Sequence, residues 1–320
     1  MPNWLLTGLA AGLTAAAMQG VIASPSLFNA LIFYLSPLPL FLAGFSRGWA
    51  SAALGALVMS VVLVVITGSF AFALMALVSA GLGPVLASGL SMITRTASAA
   101  PLEGETRSDD REWYPEGRLV LWLAGISALV TGISILAMGW DMATYKNFVE
   151  TFVSQFIDAY ESQMPAGQPP FPKQAFTQLI ITAMPVAGSA MWLLATVSSM
   201  RIAIVVLAKT GRALRPWALF SQMAYPANSV IVLLASLLAA YVLSGIPRLL
   251  ALGAVGAFVT AFTLLGLAIV HHLLAGNAAR PFLLSLLYTG LLFFSWVLAV
   301  PLTVLGLVDL NYNFRKSKTI

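Results

Sequence analysis

Residues 8–20 read GLAAGLTAAAMQG, an apolar stretch that contains almost no large side chain. Glycine and alanine recur here every four residues in two neighbouring rows, so one side of the predicted helix is nearly bare backbone. Such a surface lets another helix approach closely. It predicts either packing against another span of the same chain or docking of a partner's helices. We call it the small-residue face, and it comprises Gly8, Ala11, Gly12, Ala15, Ala16 and Gly20.

The composition around this stretch places the chain in a membrane. Hydrophobic residues make up 60% of the 320 residues and charged residues only 8%, whereas a soluble domain carries about 25% charge. Apolar runs recur from end to end, each long enough to cross roughly 30 Å of hydrocarbon as a helix. The net charge of +5 is spread over short loops, which is typical of a topology signal and not of nucleic-acid binding. The sequence therefore predicts an all-α, polytopic integral membrane helical bundle.

Hydropathy predicts about eight to nine transmembrane helices within a single integral membrane domain over residues 1–320. No Arg or Lys precedes the first run, so that run is expected to be a retained span and not a signal peptide. The nine candidate spans cover residues 5–24, 27–45, 49–67, 70–93, 118–139, 176–208, 228–246, 249–275 and 281–308.

Two hydrophilic segments interrupt the spans. Residues 94–117 are mixed in charge and rich in Gly, Pro and Ser, which predicts a mobile loop. Residues 141–175 are net acidic and place aromatic and apolar residues at helical spacing, which predicts an amphipathic helix. The QPPFPK sequence at 168–173 is expected to end that helix and turn the chain back. The spaced residues are Tyr145, Phe148, Val149, Phe152, Phe156 and Tyr160.

Positive charge orients the spans, because Lys and Arg are retained on the cytoplasmic side. The 94–117 loop and the basic 209–215 segment are therefore expected inside, and the amphipathic helix is expected outside. Nine single crossings would put the basic tail at 315–318 outside. We expect the tail inside, with a re-entrant or doubled segment around Pro226 or Pro301 that restores the parity.

The sequence offers little catalytic chemistry. No carboxylate reaches the centre of an apolar run, which disfavours ion-coupled transport. The G-x-x-x-x-G-K-[ST] phosphate loop is absent, and so is cysteine. Serines beside glycine at 67–70 and 187–190, with His271 and His272, would be needed for an intramembrane hydrolase, but helix packing by small residues is the favoured interpretation. We expect no enzymatic activity, no cofactor and no metal.

Polar residues inside apolar runs are the candidates for binding a substrate. Asn29 either lines a pocket or caps a helix, and the adjacent histidines indicate an interfacial polar pair. Arg201 either extends toward the cytoplasmic interface, which is the favoured interpretation, or binds a substrate. The candidate substrate-binding residues are Asn29, Gln222, Asn228 and His271.

The carboxy-terminal sequence resembles the end of the DUF2232 or YybS-like family of bacterial membrane proteins. In that family a G-x-x-x-x-H span precedes a last span with a Gly-Leu-x-Asp phrase and an aromatic-x-aromatic-Arg tail. The SPLPLFLAGFSRGWASAALGA sequence at 36–56 also resembles the family's early Pro-Leu-Pro and Arg-Gly pattern. The matching positions near the end are Gly266–His271, Gly306, Leu307, Asp309, Tyr312, Phe314 and Arg315.

This family is distantly similar to the S components of energy-coupling factor transporters, which bind a vitamin and lack an ATPase. Those proteins carry an Ala-x-x-x-Ala surface on their first helix for docking, and Ala11 and Ala15 match it. The resemblance implies a small-molecule-binding subunit of the bacterial cytoplasmic membrane, energised by a transmembrane partner with a separate ATPase. The alternative is a non-catalytic scaffold or assembly factor for envelope complexes.

Overall fold

The computed structural model describes residues 2–21, 26–96, 111–161, 172–312 and 314. These residues form an almost entirely helical structure, which confirms the predicted all-α membrane bundle. The α-helices are Asn3–Gly20 (α1), Leu27–Tyr34 (α2), Pro37–Arg47 (α3), Trp49–Thr67 (α4), Phe70–Ala76 (α5), Leu82–Ser91 (α6), Glu116–Met138 (α7), Met142–Glu161 (α8), Lys173–Thr210 (α9), Ser229–Val242 (α10), Gly245–Leu273 (α11), Arg280–Phe293 (α12) and Ser295–Tyr312 (α13).

Six helical segments in the described residues are long and apolar enough to cross a membrane. One of them joins α2 and α3, and another joins α5 and α6 through a π-helical turn at Leu77–Gly81. Shorter apolar helices occupy two of the predicted spans. The predicted span 228–246 forms the 14-residue α10, and the predicted span 281–308 is divided between α12 and α13.

The predicted span 281–308 is interrupted, but not at the proline; a doubled or re-entrant membrane segment here stays a prediction. The two helices separate at Phe294, whereas Pro301 lies inside α13. Proline is tolerated within such a helix when neighbouring groups satisfy the freed carbonyl. Pro226 lies between a short 3-10 turn at Phe220–Gln222 and α10. The basic tail at 315–318 lies outside the described residues, as does most of the QPPFPK sequence.

The structure divides into two compact units. The first comprises Met1–Leu123, Leu194–Ala227 and Ala261–Ile320, and the second comprises Ala124–Leu193 and Asn228–Thr260. Helices α7, α9 and α11 contribute residues to both units.

The small-residue face organises the first unit by packing against α4. A Cβ atom on Gly8 would lie 2.8 Å from the carbonyl oxygen of Ser51, and one on Gly12 would lie 2.5 Å from that of Gly55. The backbones of α1 and α4 are therefore in contact, which only glycine permits. Ala11, Ala15 and Ala16 are also buried, whereas Gly20 faces open space. Five of the six residues are thus packed within the described part of the chain, as the first of the two predicted arrangements requires. Docking of a partner on this face stays a prediction.

The second unit has its core between α8 and three other helices. Tyr145, Val149, Val153 and Ile157 form the buried side of α8, and they pack with apolar residues of α7, α9 and α11. The amphipathic helix predicted for residues 141–175 is thus present over Met142–Glu161. Its aromatic residues at positions 148, 152 and 156 are exposed, so they are not part of the core.

The two ends of the predicted mobile loop form regular structure. Thr94–Thr96 (β1) and Arg111–Trp113 (β2) make an antiparallel ribbon, with Arg95 opposite Glu112. This ribbon brings the end of α6 close to the start of α7 within the first unit. Residues 97–110 of the predicted loop lie outside the described residues.

Candidate functional site

A buried ion pair lies at the start of α7. Glu116 is the first residue of that helix, where the positive end of the helix dipole favours a carboxylate. Its Oε2 accepts a hydrogen bond from Nη1 of Arg201 at 2.6 Å, and the two side chains are 7% and 22% exposed. Arg201 is thus paired with a carboxylate that the sequence analysis did not select.

A second arginine lies close enough to Glu116 to interact with its charge but forms no ion pair with it among the described residues. Arg215 is 5% exposed, and its Nη1 donates to the carbonyl oxygens of Ser91 at 3.1 Å and Tyr114 at 2.8 Å. Its guanidinium lies 3.8 Å from the centre of the Trp217 ring. Burial lowers the pKa of Arg215 to about 10, so the guanidinium stays charged at neutral pH.

The chain segment that carries Arg215 is held in place by packing on both sides. The Leu214 N–H donates to the carbonyl of Phe45, whose ring contacts Trp217 at 4.6 Å between centroids. Further along, the Tyr225 hydroxyl donates to the carbonyl of Ala261, and the Ala224 carbonyl lies against Gly117. The segment is therefore held by contacts on both sides of Arg215.

Glu116, Arg201, Arg215 and Trp217 form what we call the arginine cluster. Several of its polar atoms have no hydrogen-bond partner among the described residues. They are Nε of Arg215, Nε1 of Trp217 and Oε1 of Glu116, all of which are buried. The backbone of Ala218 also faces the Glu116 carboxylate. Because burying an unsatisfied polar group costs about 1–3 kcal/mol, such atoms call for a partner such as water or a ligand. The two free donors and the net charge of +1 over Glu116, Arg201 and Arg215 favour an anionic one.

His271 is a predicted substrate-binding residue that borders this cluster through an aromatic ring. Its ring meets Phe220 edge to face at 5.6 Å, and Phe220 in turn lies 5.6 Å from the guanidinium carbon of Arg201. The Nε2 atom of His271 shares a hydrogen bond with the Tyr288 hydroxyl at 2.8 Å. His271 therefore borders the cluster through an aromatic ring and makes no direct polar contact with the arginines in the described residues.

The other three predicted substrate-binding residues lie in or beside three different elements. Gln222 is exposed, and its side chain accepts a hydrogen bond from the Leu219 N–H across the 3-10 turn. Asn228 is exposed at the start of α10, in the second unit. Asn29 is half-buried in the first turn of α2, where its N–H donates to Ser26. A role of these three residues in binding stays a prediction.

Glu116 and Arg215 each have one sequence feature that could have drawn attention to them. Glu116 is an acidic residue at the very start of an apolar run that contains no other charge before Met138, apart from Arg118. Arg215 lies between Leu214 and Pro216, and two aromatic residues, Trp217 and Phe220, follow it within five positions. Cation–π pairing of Arg with Trp is common, but the chain fold was needed to show which carboxylate lies near it.

The residues that carry the family resemblance lie at the contact between α11 and α13. Gly266 lies against the carbonyl of Leu302, and a Cβ atom on Gly306 would lie 2.5 Å from the carbonyl oxygen of Phe262. Helices α11 and α13 thus approach closely because each carries a glycine where the backbone of the other helix passes.

Three further residues of the motif, Asp309, Tyr312 and Phe314, interact at the end of α13. Asp309 is buried, and its Oδ1 accepts a hydrogen bond from the Phe314 N–H at 2.9 Å. The rings of Tyr312 and Phe314 stack with centroids 6.3 Å apart. The Gly-Leu-x-Asp phrase and the aromatic tail therefore fix the terminal turn of α13, which is a structural role.

The apolar helices, the close glycine contacts between them and a charge cluster at their ends define a polytopic helical membrane protein. Comparison with family models agrees, because the model described as Predicted membrane protein (DUF2232) matches residues 13–310. The chain belongs to the DUF2232 family. No curated protein and no solved structure matches it.

Proposed function

We propose that this protein is a non-enzymatic membrane protein that binds a small anionic molecule at the arginine cluster. The observation that carries this proposal is the buried Arg215, which is charged, stacked on Trp217 and left with a free Nε donor. A carboxylate or a phosphate group has the acceptor oxygens that these donors require. Glu116 neutralises Arg201 through their ion pair, so Arg215 is the cation available to the ligand.

The finer form of the proposal is a subunit of a transport complex in the bacterial cytoplasmic membrane. The sequence has no phosphate loop for ATP, so energy would come from a transmembrane partner with its own ATPase. That partner would dock on a surface other than the small-residue face, because α4 covers most of that face. Mass spectrometry of proteins that co-purify in mild detergent tests this part: recovery of an ATPase-bearing partner supports it, and purification of the chain alone contradicts it.

Binding is tested on the purified protein with inorganic phosphate and with acetate, by measuring the shift in melting temperature. We expect one of the two anions to raise the melting temperature of the natural protein. Trp217→Phe removes the Nε1 donor but keeps an aromatic ring beside Arg215, so the variant should fold and show a smaller shift. Arg212→Gln changes an exposed arginine nearby and is the matched control, whose shift should equal that of the natural protein.

Equal shifts in all three proteins would contradict binding at the cluster. The absence of any shift, together with the absence of a co-purifying anion in native mass spectrometry, would overturn the proposal. The alternative function, a non-catalytic scaffold for envelope complexes, would then account for the chain, with the cluster serving only to hold residues 211–228 in place.

A further inference from the structure

Helix α8 carries two apolar rows, and only one of them is used by the core of the second unit. Tyr145, Val149, Val153 and Ile157 are buried. The neighbouring row, which we call the aromatic row, consists of Phe148, Phe152 and Phe156. These three side chains are 42%, 56% and 59% exposed. Leaving such surface in water costs about 25 cal/mol per Å², so the aromatic row needs a partner.

The contacts of the buried row place α8 at the ends of the membrane spans. It shares a hydrophobic cluster with Ile135, near the end of α7, and with Leu249, in the second turn of α11. Helix α8 begins at Met142, directly after the span that ends at Met138. Near its other end, Asp158 forms an ion pair with Lys173, the first residue of α9, at 2.8 Å. The start of α8 thus follows the end of α7 directly, and the other end of α8 is bonded to the start of α9.

The surroundings of the aromatic row match a lipid interface. Trp140, in the short connection between α7 and α8, is 80% exposed, and tryptophan is enriched where headgroups meet hydrocarbon. Phe148 and Phe152 also line a groove of about 470 Å³ that begins at Met138 of the span. The other groove residues are hydroxyl or amide side chains, namely Thr144, Asn147, Thr151 and Gln155.

We propose that the aromatic row of α8 lies in the lipid interface, so that the helix rests on the bilayer beside the ends of its own spans. The exposed Trp140 would then lie at the same lipid interface, between the end of α7 and the start of α8. An amphipathic helix of this kind typically buries its apolar face about 5–10 Å into the boundary between headgroups and acyl chains. Helix α8 itself carries Glu150, Asp158 and Glu161 against Lys146 alone, and this net negative charge favours a zwitterionic lipid surface over an anionic one. This inference is independent of the arginine cluster.

Spin labels on single cysteines test the placement, because the natural chain contains no cysteine. The labelled positions are Phe148→Cys, Phe152→Cys and Phe156→Cys, with Glu150→Cys and Ser154→Cys as matched controls on the exposed polar side of the same helix. The full chain is reconstituted in phosphatidylcholine vesicles, and collision rates with oxygen and with a water-soluble nickel chelate are measured. We expect the oxygen-to-nickel ratio to be several-fold higher at the aromatic row than at the controls.

Equal ratios at the two sets of positions would overturn the proposal, since the row would then face water. Dipolar broadening between labels at position 152 would also overturn it, because the row would then contact a second copy of the chain. All five positions are exposed, so each variant is expected to fold, and the melting temperature of each one checks this.

Discussion

Gly12 of α1 and Gly55 of α4 bring the backbones of their helices into contact. A Cβ atom on Gly12 would lie 2.5 Å from the Gly55 carbonyl oxygen, which is closer than a real Cβ atom is found. Every change in side-chain size at this crossing therefore acts on the distance between the two helix axes.

Gly12→Ala should lower the free energy of unfolding by about 1–3 kcal/mol, because the added methyl group forces the two helices apart. The measurement is the thermal unfolding of the purified protein in detergent, followed by tryptophan fluorescence. Gly20→Ala is the matched control at the end of the same helix, where a Cβ atom meets no neighbour. Its melting temperature should be unchanged or raised; an equal loss in both variants would contradict the close contact.

Arg201→Gln should lower the free energy of unfolding by about 3–5 kcal/mol, because it leaves the Glu116 carboxylate buried without its ion-pair partner. Glu116→Gln and the double variant complete a cycle, for which we expect a coupling of at least about 1 kcal/mol. The exposed pair of Asp158 and Lys173 is the comparison, and its cycle should give a much smaller coupling. Additive effects of the Glu116 and Arg201 changes would show that the two side chains do not interact.

Asp141 should stabilise the start of α8 only while it is ionised. Hydrogen bonds from the Thr144 hydroxyl and from backbone N–H groups hold its pKa below the ordinary value of 3.8. A lowered pKa in the folded state means that the stabilisation is present above pH 3.8 and is lost as the pH falls through the folded value. Asp141→Ala should therefore speed hydrogen exchange of residues 143–145 at pH 6. At pH values below the folded pKa the two proteins should exchange alike, and a difference that persisted there would contradict the assignment.

Gly266→Ala should destabilise the contact between α11 and α13, because the new methyl group collides with the Leu302 carbonyl. We expect a loss near the upper end of about 1–3 kcal/mol, measured as the shift in melting temperature. Gly188→Ala is a suitable control, since that glycine lies in a helix with open space around it. A shift for Gly188→Ala as large as that for Gly266→Ala would show that the loss does not come from helix contact.

The sequence was sufficient for the class of fold and for the amphipathic helix at α8, because both depend on composition and on residue spacing. It was also sufficient to find the unusual surface formed by Gly8 and Gly12. It was insufficient to identify the helix that packs against this surface. Nothing in the sequence shows that Ser51 and Gly55 of α4 lie opposite α1.

The candidate site was less predictable than the fold. Glu116 and Arg201 are 85 positions apart, and no spacing rule connects residues on different helices. Single polar residues such as Gln222 drew attention because they interrupt apolar runs; the contact that the structure gives Gln222 is a hydrogen bond within its own turn. The break at Phe294 was also unpredictable, because proline at position 301 is a stronger sequence signal than the residues where the helix ends.

The Arg215 side chain helps to hold α6 and α7 together independently of the residues that connect β1 to β2. By donating to the carbonyls of Ser91 and Tyr114, it ties the end of α6 to the residues just before α7, and the β1–β2 ribbon joins the same two points. Doubling the number of residues between the strands would add only about 0.6 kcal/mol of closure entropy. We therefore expect a tag or a reporter domain inserted between the two strands to leave the packing of α6 and α7 unchanged.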